Sequence, residues 1–346
     1  MLVCLSSGFT NRYKHDVLRS ISLPKGNHLR FRYELSLISE SVKTSISSNN
    51  LAGMDVCISY LDRSDHTKVP IIVPCRQAKL IKASILGNFC VLDFEVGDFW
   101  TAKNVENFNR DIRAKNGNVP YWNESELKGE FVFETEPPSS LAISSDIGEW
   151  QKLVDVLKTH IDFVREPFFY FVNCITQLGK DNSISPSNGI YKISADNSYE
   201  VKIVQYSPGP ILDKEKVNWL LTSSDPQAVS FITNKLLAID SNYDEKILRF
   251  RTKDTTWKND SMINIYRHVD SDKKLDIQEA IWDFDLKFEI KADKCTPIIH
   301  GLLIGLFVAA QGVLPIVLSN SHLAIGLMLI AGIAAGMLAS FRLRKV

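Results

Sequence analysis

Asp285, Lys287, Glu289 and Lys291 alternate along one short stretch and offer the most concrete chemistry in the chain. Asp285-Leu286-Lys287 and Glu289-Ile290-Lys291 each match the acid-x-Lys half of a metal-dependent nuclease site, in which a carboxylate holds Mg²⁺ and the lysine steadies the attacking water. Such a site needs a further acid from another strand, and Asp270, Asp272 and Asp276 are the candidates. A plainer reading competes: acid and base alternating opposite Trp282, Phe284, Leu286, Phe288 and Ile290 are what a solvated strand face presents. Two further stretches, Arg30-Phe31-Arg32-Tyr33 and Arg249-Phe250-Arg251, interleave base with aromatic. That pattern can track a phosphate backbone or anionic headgroups, and solvated strand faces produce it more often.

Other chemistries find no motif. Neither G-x-x-x-x-G-K-S/T nor G-x-G-x-x-G occurs, and Gly179-Lys180 lacks the upstream glycine and the following hydroxyl of a phosphate-binding loop. H-E-x-x-H and G-x-S-x-G are absent as well. The histidines His15, His28, His66, His160, His268, His300 and His322 are scattered, and Asp270 to Asp276 lacks the glycine and glutamate of a calcium loop. Cys4, Cys57, Cys75, Cys90, Cys174 and Cys295 include no C-x-x-C pair and read as reduced core thiols, which favours a cytosolic setting. No cofactor is implied. With 40 basic and 40 acidic residues no global field draws the chain to nucleic acid, so any charged partner site must be local.

The C-terminal stretch carries a different set of signals. From Cys295 to Phe341 there is no Lys, Arg, Asp or Glu. Two apolar runs, 296–318 and 323–341, approach the roughly 20 residues a helix needs to cross a bilayer, with Ser319-Asn320-Ser321-His322 as the turn between them. Gly301, Gly305 and Ala309, and likewise Gly332, Gly336 and Ser340, fall at i, i+4, i+8, the small-residue ridges that let helices approach closely in lipid. His300 and Gln311 are the polar groups within these runs, and such groups face protein or water. Lys291 and Lys294 before, and Arg342, Arg344 and Lys345 after, place both termini in the cytoplasm by the positive-inside rule. The opening ten residues lack a signal peptide, and the sequons at Asn123 and Asn259 read as chance matches.

These groups need elements to hold them. Residues 1–140 read as a β-rich domain, a small sandwich or barrel: His28 to Leu37 alternates, further strands run over 55–60, 69–73, 78–86 and 88–96 with Gly87-Asn88 as a hairpin turn, and 105–115 forms a short helix. Pro137-Pro138-Ser139-Ser140 marks a boundary. Residues 141–293 read as an α+β domain. It opens with a helix from Asp146 to Val164 whose Ile147, Trp150, Val154, Leu157, Ile161 and Val164 share one face. Phe168 to Val172 is a buried strand, 189–194 and 198–206 form a hairpin around Asp196-Asn197, 213–221 is helical, and 282–290 is the clearest strand. The expected fold is therefore α+β, two β-rich cytosolic domains followed by a two-helix transmembrane hairpin.

This layout, a β-rich cytosolic part, a charge-free hairpin and a basic stub, resembles the two-transmembrane effectors of bacterial anti-phage systems, including those encoded beside retrons. The resemblance implies antiviral defence: cytosolic domains that sense a trigger or are held by a protein or ribonucleoprotein partner, and hairpins that assemble as homo-oligomers and breach the inner membrane as a toxin. Two other functions fit the sequence, a passive membrane-anchored scaffold and a membrane-tethered nuclease using the acid-x-Lys strand.

Overall fold

The computed structural model describes residues 1–292 except 9–10, 49, 66–67, 103–104, 125, 165, 167, 210–216, 234–235, 239–240, 254, 256–257 and 270–280, and beyond them Leu302 and Gly305. The chain opens with β1 (Leu2–Ser6), α1 (Asn11–Ser22), β2 (His28–Glu34), a 3-10 turn (Leu35–Leu37), α2 (Glu40–Ser47), β3 (Asp55–Asp62), β4 (Ile71–Leu86), β5 (Phe89–Ala102) and α3 (Val105–Lys115). Short strands β6 (Tyr121–Asn123), β7 (Glu126–Lys128), β8 (Val132–Glu134) and β9 (Leu141–Ser144) follow. β6 and β7 pair only with each other, and the other strands form an open mixed sheet in the order β2-β5-β4-β3-β1-β8, with β9 on β5. The alternation of β2 is realised: Leu29, Phe31 and Tyr33 are buried while Arg30, Arg32 and Glu34 face out.

The small sandwich or barrel expected here is corrected. β1 pairs with β3 in parallel, and a parallel pair needs a long crossover, which α1, β2 and α2 provide. β1 is buried at every position, so its continuous apolar run lacks the alternation that marks a half-buried strand. The runs expected at 69–73 and 78–86 are one 16-residue strand, β4, turning through Gly87 at φ 58° into β5.

Next come α4 (Ile147–Lys158) and strands β10 (Phe169–Gln177), β11 (Ile190–Ser194), β12 (Ser198–Tyr206), β13 (Val217–Ser223), β14 (Val229–Phe231), β15 (Leu236–Ala238), β16 (Tyr243–Thr252), β17 (Lys258–Val269) and β18 (Ile281–Lys291). Asp146 caps α4 by accepting the Gly148 amide at 3.0 Å. The helix stops six residues before the expected Val164, in tight turns where Phe163 and Val164 donate to the His160 carbonyl. Ile161 and Val164, expected on its buried face, are therefore 65% and 53% exposed. The strands make two sheets, β10-β12-β16-β14 and β11-β18-β17-β13-β15. The Phe250 ring of the first lies 5.3 Å from the Phe288 ring of the second, within one buried cluster, so the two sheets pack face to face as a sandwich. β11 and β12 are not the expected hairpin: the turn at Asp196, φ 54°, carries the chain from one sheet to the other. The helix expected at 213–221 is a strand from Val217 on.

The membrane hairpin is also corrected. Among the described residues no helix is long and apolar enough to cross a membrane. The transmembrane part of the expected fold, the multi-pass inner-membrane location and the keywords attached to it go with that finding. A charge-free run is a matter of composition, whereas a span needs an unbroken helical ladder of about 20 residues. Of the two expected spans, only Leu302 and Gly305 belong to the described residues.

One buried cluster draws on both halves, joining Leu29, Phe31 and Phe94 to Tyr191, Phe250 and Phe288. A second packs α1 and α4 between the open sheet and the sandwich, around Trp150. Beside it lies an anomaly. Arg76 of β4 is 1% exposed, stacked 3.8 Å from the Phe99 ring centroid and 5.7 Å from that of Phe171, and its Nε and Nη1 have no hydrogen-bond partner. A cation–π contact returns about 2 kcal/mol, whereas an unpaired buried charge costs several. Arg76→Met keeps most of the volume and is expected to raise unfolding free energy by about 1–4 kcal/mol in urea titrations; a loss of stability would mean that the guanidinium is compensated.

Candidate functional site

Where strands run parallel, ligand sites gather outside their carboxyl ends, and here those ends are Ser6 of β1 and Tyr60 of β3. The chain leaving α4 folds onto this edge. Tyr60 donates its hydroxyl to Asp162 Oδ2 at 2.7 Å, and the Gly8 amide donates to the same oxygen at 3.0 Å. A Cβ at position 8 would stand 1.8 Å from Asp162 Cγ, so a larger residue there would displace that carboxylate. Burial, and then the bond to Asp162, push the Tyr60 hydroxyl well above its usual range. Alongside, His160 Nδ1 lies 2.7 Å from Asp62 Oδ2, with side chains 11% and 13% exposed. Burial raises the Asp62 carboxyl, but the bonds from His160 and Ser64 outweigh it and hold the group below the ordinary carboxylate range. An ionised carboxylate only accepts, so Nδ1 donates and Nε2 is the imidazole's remaining basic position.

His160 and Thr159 close one end of an open groove of about 470 Å³, floored by Val69, Ile71, Val73, Val105 and Val156 and rimmed by Arg110 and Arg113. Its wall is held by polar bonds. Asn109 of α3 donates to the Ile72 carbonyl at 2.8 Å and accepts the Ile72 amide at 2.7 Å, which occupies the edge of β4 as a neighbouring strand would. Arg113 donates to the carbonyls of Pro70 and Pro120 at 2.6 and 3.0 Å. The hydroxyl in the described lining, that of Thr159, donates to the Val156 carbonyl at 2.7 Å rather than to the imidazole. The groove can hold an apolar group, and His160 can exchange a proton or hydrogen bond with it.

The residues singled out in the sequence fare differently. Leu286, Phe288 and Ile290 are buried, and Lys287 faces out from β18. Glu289 bonds Lys258 at 2.9 Å and Lys291 at 3.2 Å, and the bond from Lys258 above all keeps its carboxyl low. Asp285 stands four residues from Glu289, about 13 Å along a strand. Among the described residues no group of three His, Cys, Asp or Glu could hold a metal, and positions 270, 272 and 276 lie outside them. Of the small-residue ridges and polar groups expected in the spans, His300, Gly301, Ala309, Gln311, Gly332, Gly336 and Ser340 lie outside the described residues too; Gly305 is buried. Arg249 and Arg251 are matched by Glu200 at 2.7 Å and Asp196 at 2.6 Å. Arg32 lies 4.4 Å from the Phe89 ring centroid. Arg30, held by Asp93, reaches a cleft with Arg12, His15, Asp16 and Arg19 of α1. There burial pushes the Asp16 carboxyl up to about 7, against the pull of Arg19 and Arg12.

Sequence reasoning missed the Asp62–His160 pair because its members are 98 residues apart and lie at the ends of a strand and a helix, with no motif between. No protein-family model matches the chain, and no curated protein matches it. Among solved structures it resembles WR4, a Caenorhabditis elegans member of the MSP family, at 9% identity over 30% of this chain and 92% of that one, with a TM-score of 0.21. SSP-19, an MSP-domain-like protein of the same worm, aligns at 11% identity over 29% of this chain and 91% of that one, with a TM-score of 0.20. A family 123 glycoside hydrolase of Clostridium perfringens aligns at 11% identity over 31% and 23%, also at 0.20. Likenesses at these scores carry no argument about function, and none bears on the resemblance to anti-phage effectors.

Two titrations test the electrostatics. Asp62→Ala leaves the His160 and Ser64 donors unmatched and is expected to cost about 1–3 kcal/mol at pH 7. Because the folded carboxyl is depressed, that difference should shrink below about pH 4, where the wild type protonates too. Asp16 has the opposite sign. Its raised folded pKa favours the fold below about pH 4 and loses that advantage as pH rises through about 7. Asp16→Asn should therefore stabilise by about 2–4 kcal/mol at pH 8 and by far less at pH 4, as read by urea unfolding at both values.

Proposed function

We propose that the described part of the chain is a sensing module in which a small apolar ligand with an acidic end enters the groove between α3 and α4, and α4 passes its presence to the sandwich. The observation that supports this reading is that one helix serves both places. Val156, with Thr159 and His160 just beyond the helix end, lines the groove. On the same helix, the Trp150 ring centroid lies 6.0 Å from that of Phe171 and 6.3 Å from that of Tyr206, whose hydroxyl donates to Asp155 Oδ1 at 2.8 Å. Close-packed interiors transmit displacement rather than absorb it. Exposed Arg110 supplies the counter-charge for the ligand's acidic end, and His160 the proton-exchanging group. The trigger-sensing half of the effector expected from the sequence is kept in this reading. Its membrane-disrupting half depended on the two spans and is not proposed.

Decanoate is a suitable probe, with decanol as its uncharged counterpart. Decanoate is expected to raise the unfolding temperature saturably and to slow hydrogen exchange in β10 and β12 as well as in α4. Arg110→Ala should weaken it about tenfold, the equivalent of 1.4 kcal/mol, and Val156→Asp should abolish it. Absence of any effect, or an effect equal in Val156→Asp, would overturn the reading; protection confined to the groove would reduce it to passive binding.

A further inference from the structure

α1 carries Arg12, His15, Asp16 and Arg19 at i, i+3, i+4 and i+7, one face of a helix. With Arg30 of β2 they line a cleft of about 390 Å³, separate from the groove. We infer that this cleft binds a phosphate group. Of the five described lining side chains four are guanidinium or imidazole, a local excess in a chain whose 40 basic and 40 acidic residues balance. Arg12 is exposed and makes no ion pair among the described residues, so its donors face solvent uncommitted. It also lies in the first turn of α1, where the aligned peptide dipoles add to the positive field. Arg30 gives Nε and Nη2 to Asp93 at 2.6 and 3.2 Å. That bidentate pairing fixes the guanidinium plane and leaves Nη1 for a second acceptor.

Asp16 is the one acid in the described lining, 5% exposed. A carboxylate there would repel an anion, but burial draws this carboxyl toward its neutral form near pH 7, in which it donates an O–H to a phosphate oxygen. Planar guanidinium forks match phosphate oxygens. Arg249 and Arg251, the other basic-aromatic stretch, each already have a carboxylate partner. In the cleft, by contrast, the donors of Arg12 and Nη1 of Arg30 remain for a ligand.

The phosphate can come from a small phosphorylated molecule or from a nucleic-acid backbone. Two probes separate them: inorganic phosphate followed by thermal unfolding, and a fluorescent ten-nucleotide oligothymidylate followed by anisotropy at increasing salt. Binding of the oligonucleotide with a salt slope reflecting several phosphates assigns a backbone; binding of inorganic phosphate alone assigns a small phosphorylated ligand. In either case Arg12→Ala, which disturbs no ion pair, should weaken the probe about tenfold, as expected for one lost charge-assisted contact, and Arg12→Ala with Arg30→Ala should abolish binding. Arg251→Ala should leave it unchanged. Failure of both probes to bind, unaltered binding in Arg12→Ala, or an equal loss in Arg251→Ala would overturn the assignment.

Discussion

The indole of Trp150 is the contact on which the arrangement of the two halves depends. It is fully buried, donates Nε1 to the Ile21 carbonyl of α1 at 3.1 Å, and packs on Phe171 and Tyr206 of the sandwich. A buried tryptophan removes about 150–250 Å² from water, which at about 25 cal/mol per Å² is several kcal/mol, comparable with the whole stability of a domain. Around it Val17, Ile21, Val73, Phe99, Phe169 and Val204 come from α1, the open sheet and the sandwich alike. The position of α4, and so the groove wall made by Val156 and the turn at His160, is set from both sides at once.

A second junction explains why the halves do not hinge freely about that one side chain. Asn27, before β2, donates to the Tyr191 hydroxyl of β11 at 2.9 Å with both groups buried. Gly189 lies so close to β2 that an added Cβ would stand 2.7 Å from His28 Cγ, and its φ of 72° independently favours glycine. On the other flank Asp162 ties the segment after α4 to Gly8 and Tyr60. The carboxyl edge of the parallel pair is therefore occupied by the chain's own carboxylate, and the open space lies beside it, against α3 and α4. Here the rule that ligands sit at strand carboxyl ends locates the neighbourhood, and packing selects the place.

Much of the fold was legible where one face is wet. The strands at 28–34 and 281–291, the turn at Gly87 and the helix at 105–115 all announce themselves by alternation, helical spacing or turn chemistry. What failed was whatever two-sided burial or long-range pairing decides. β1 is buried throughout and has no period to read; its parallel partner lies some fifty residues away, as Leu2 against Val56 shows. Asp196-Asn197 has the residues of a hairpin turn, yet the strands flanking it belong to opposite sheets, because β11 pairs with β18 and β12 with β10, neither of them a neighbour in sequence that a local turn could announce. The charge-free C-terminal stretch satisfied the composition, length and flanking charge of a membrane hairpin, yet among the described residues no helix is long and apolar enough to cross a membrane. The site was less legible than the fold. Arg30 and Arg32 stood out as a pair, but the helix that completes the cleft did not, since Arg12, Asp16 and Arg19 are ordinary polar-face residues until β2 is placed beside them.

Charge shows why placement decides. Over the whole chain the signs cancel, and most described ion pairs are solvent-exposed contacts worth little. Arg249 and Arg251 were as conspicuous in sequence as Arg30 and Arg32, and the cross-strand register that sets Arg249 opposite Glu200 neutralises the former. Arg12 makes no such ion pair among the described residues, and the acid nearest it in the cleft, Asp16, is drawn toward its neutral form by burial. Its helix is the one whose Ile21 carbonyl accepts the Trp150 indole, so a ligand held on α1 and a ligand pressed against α4 would act on a single buried hydrogen bond. Coupling through it has to be reciprocal in binding free energy: whatever occupancy of the cleft does to the groove, occupancy of the groove does equally to the cleft.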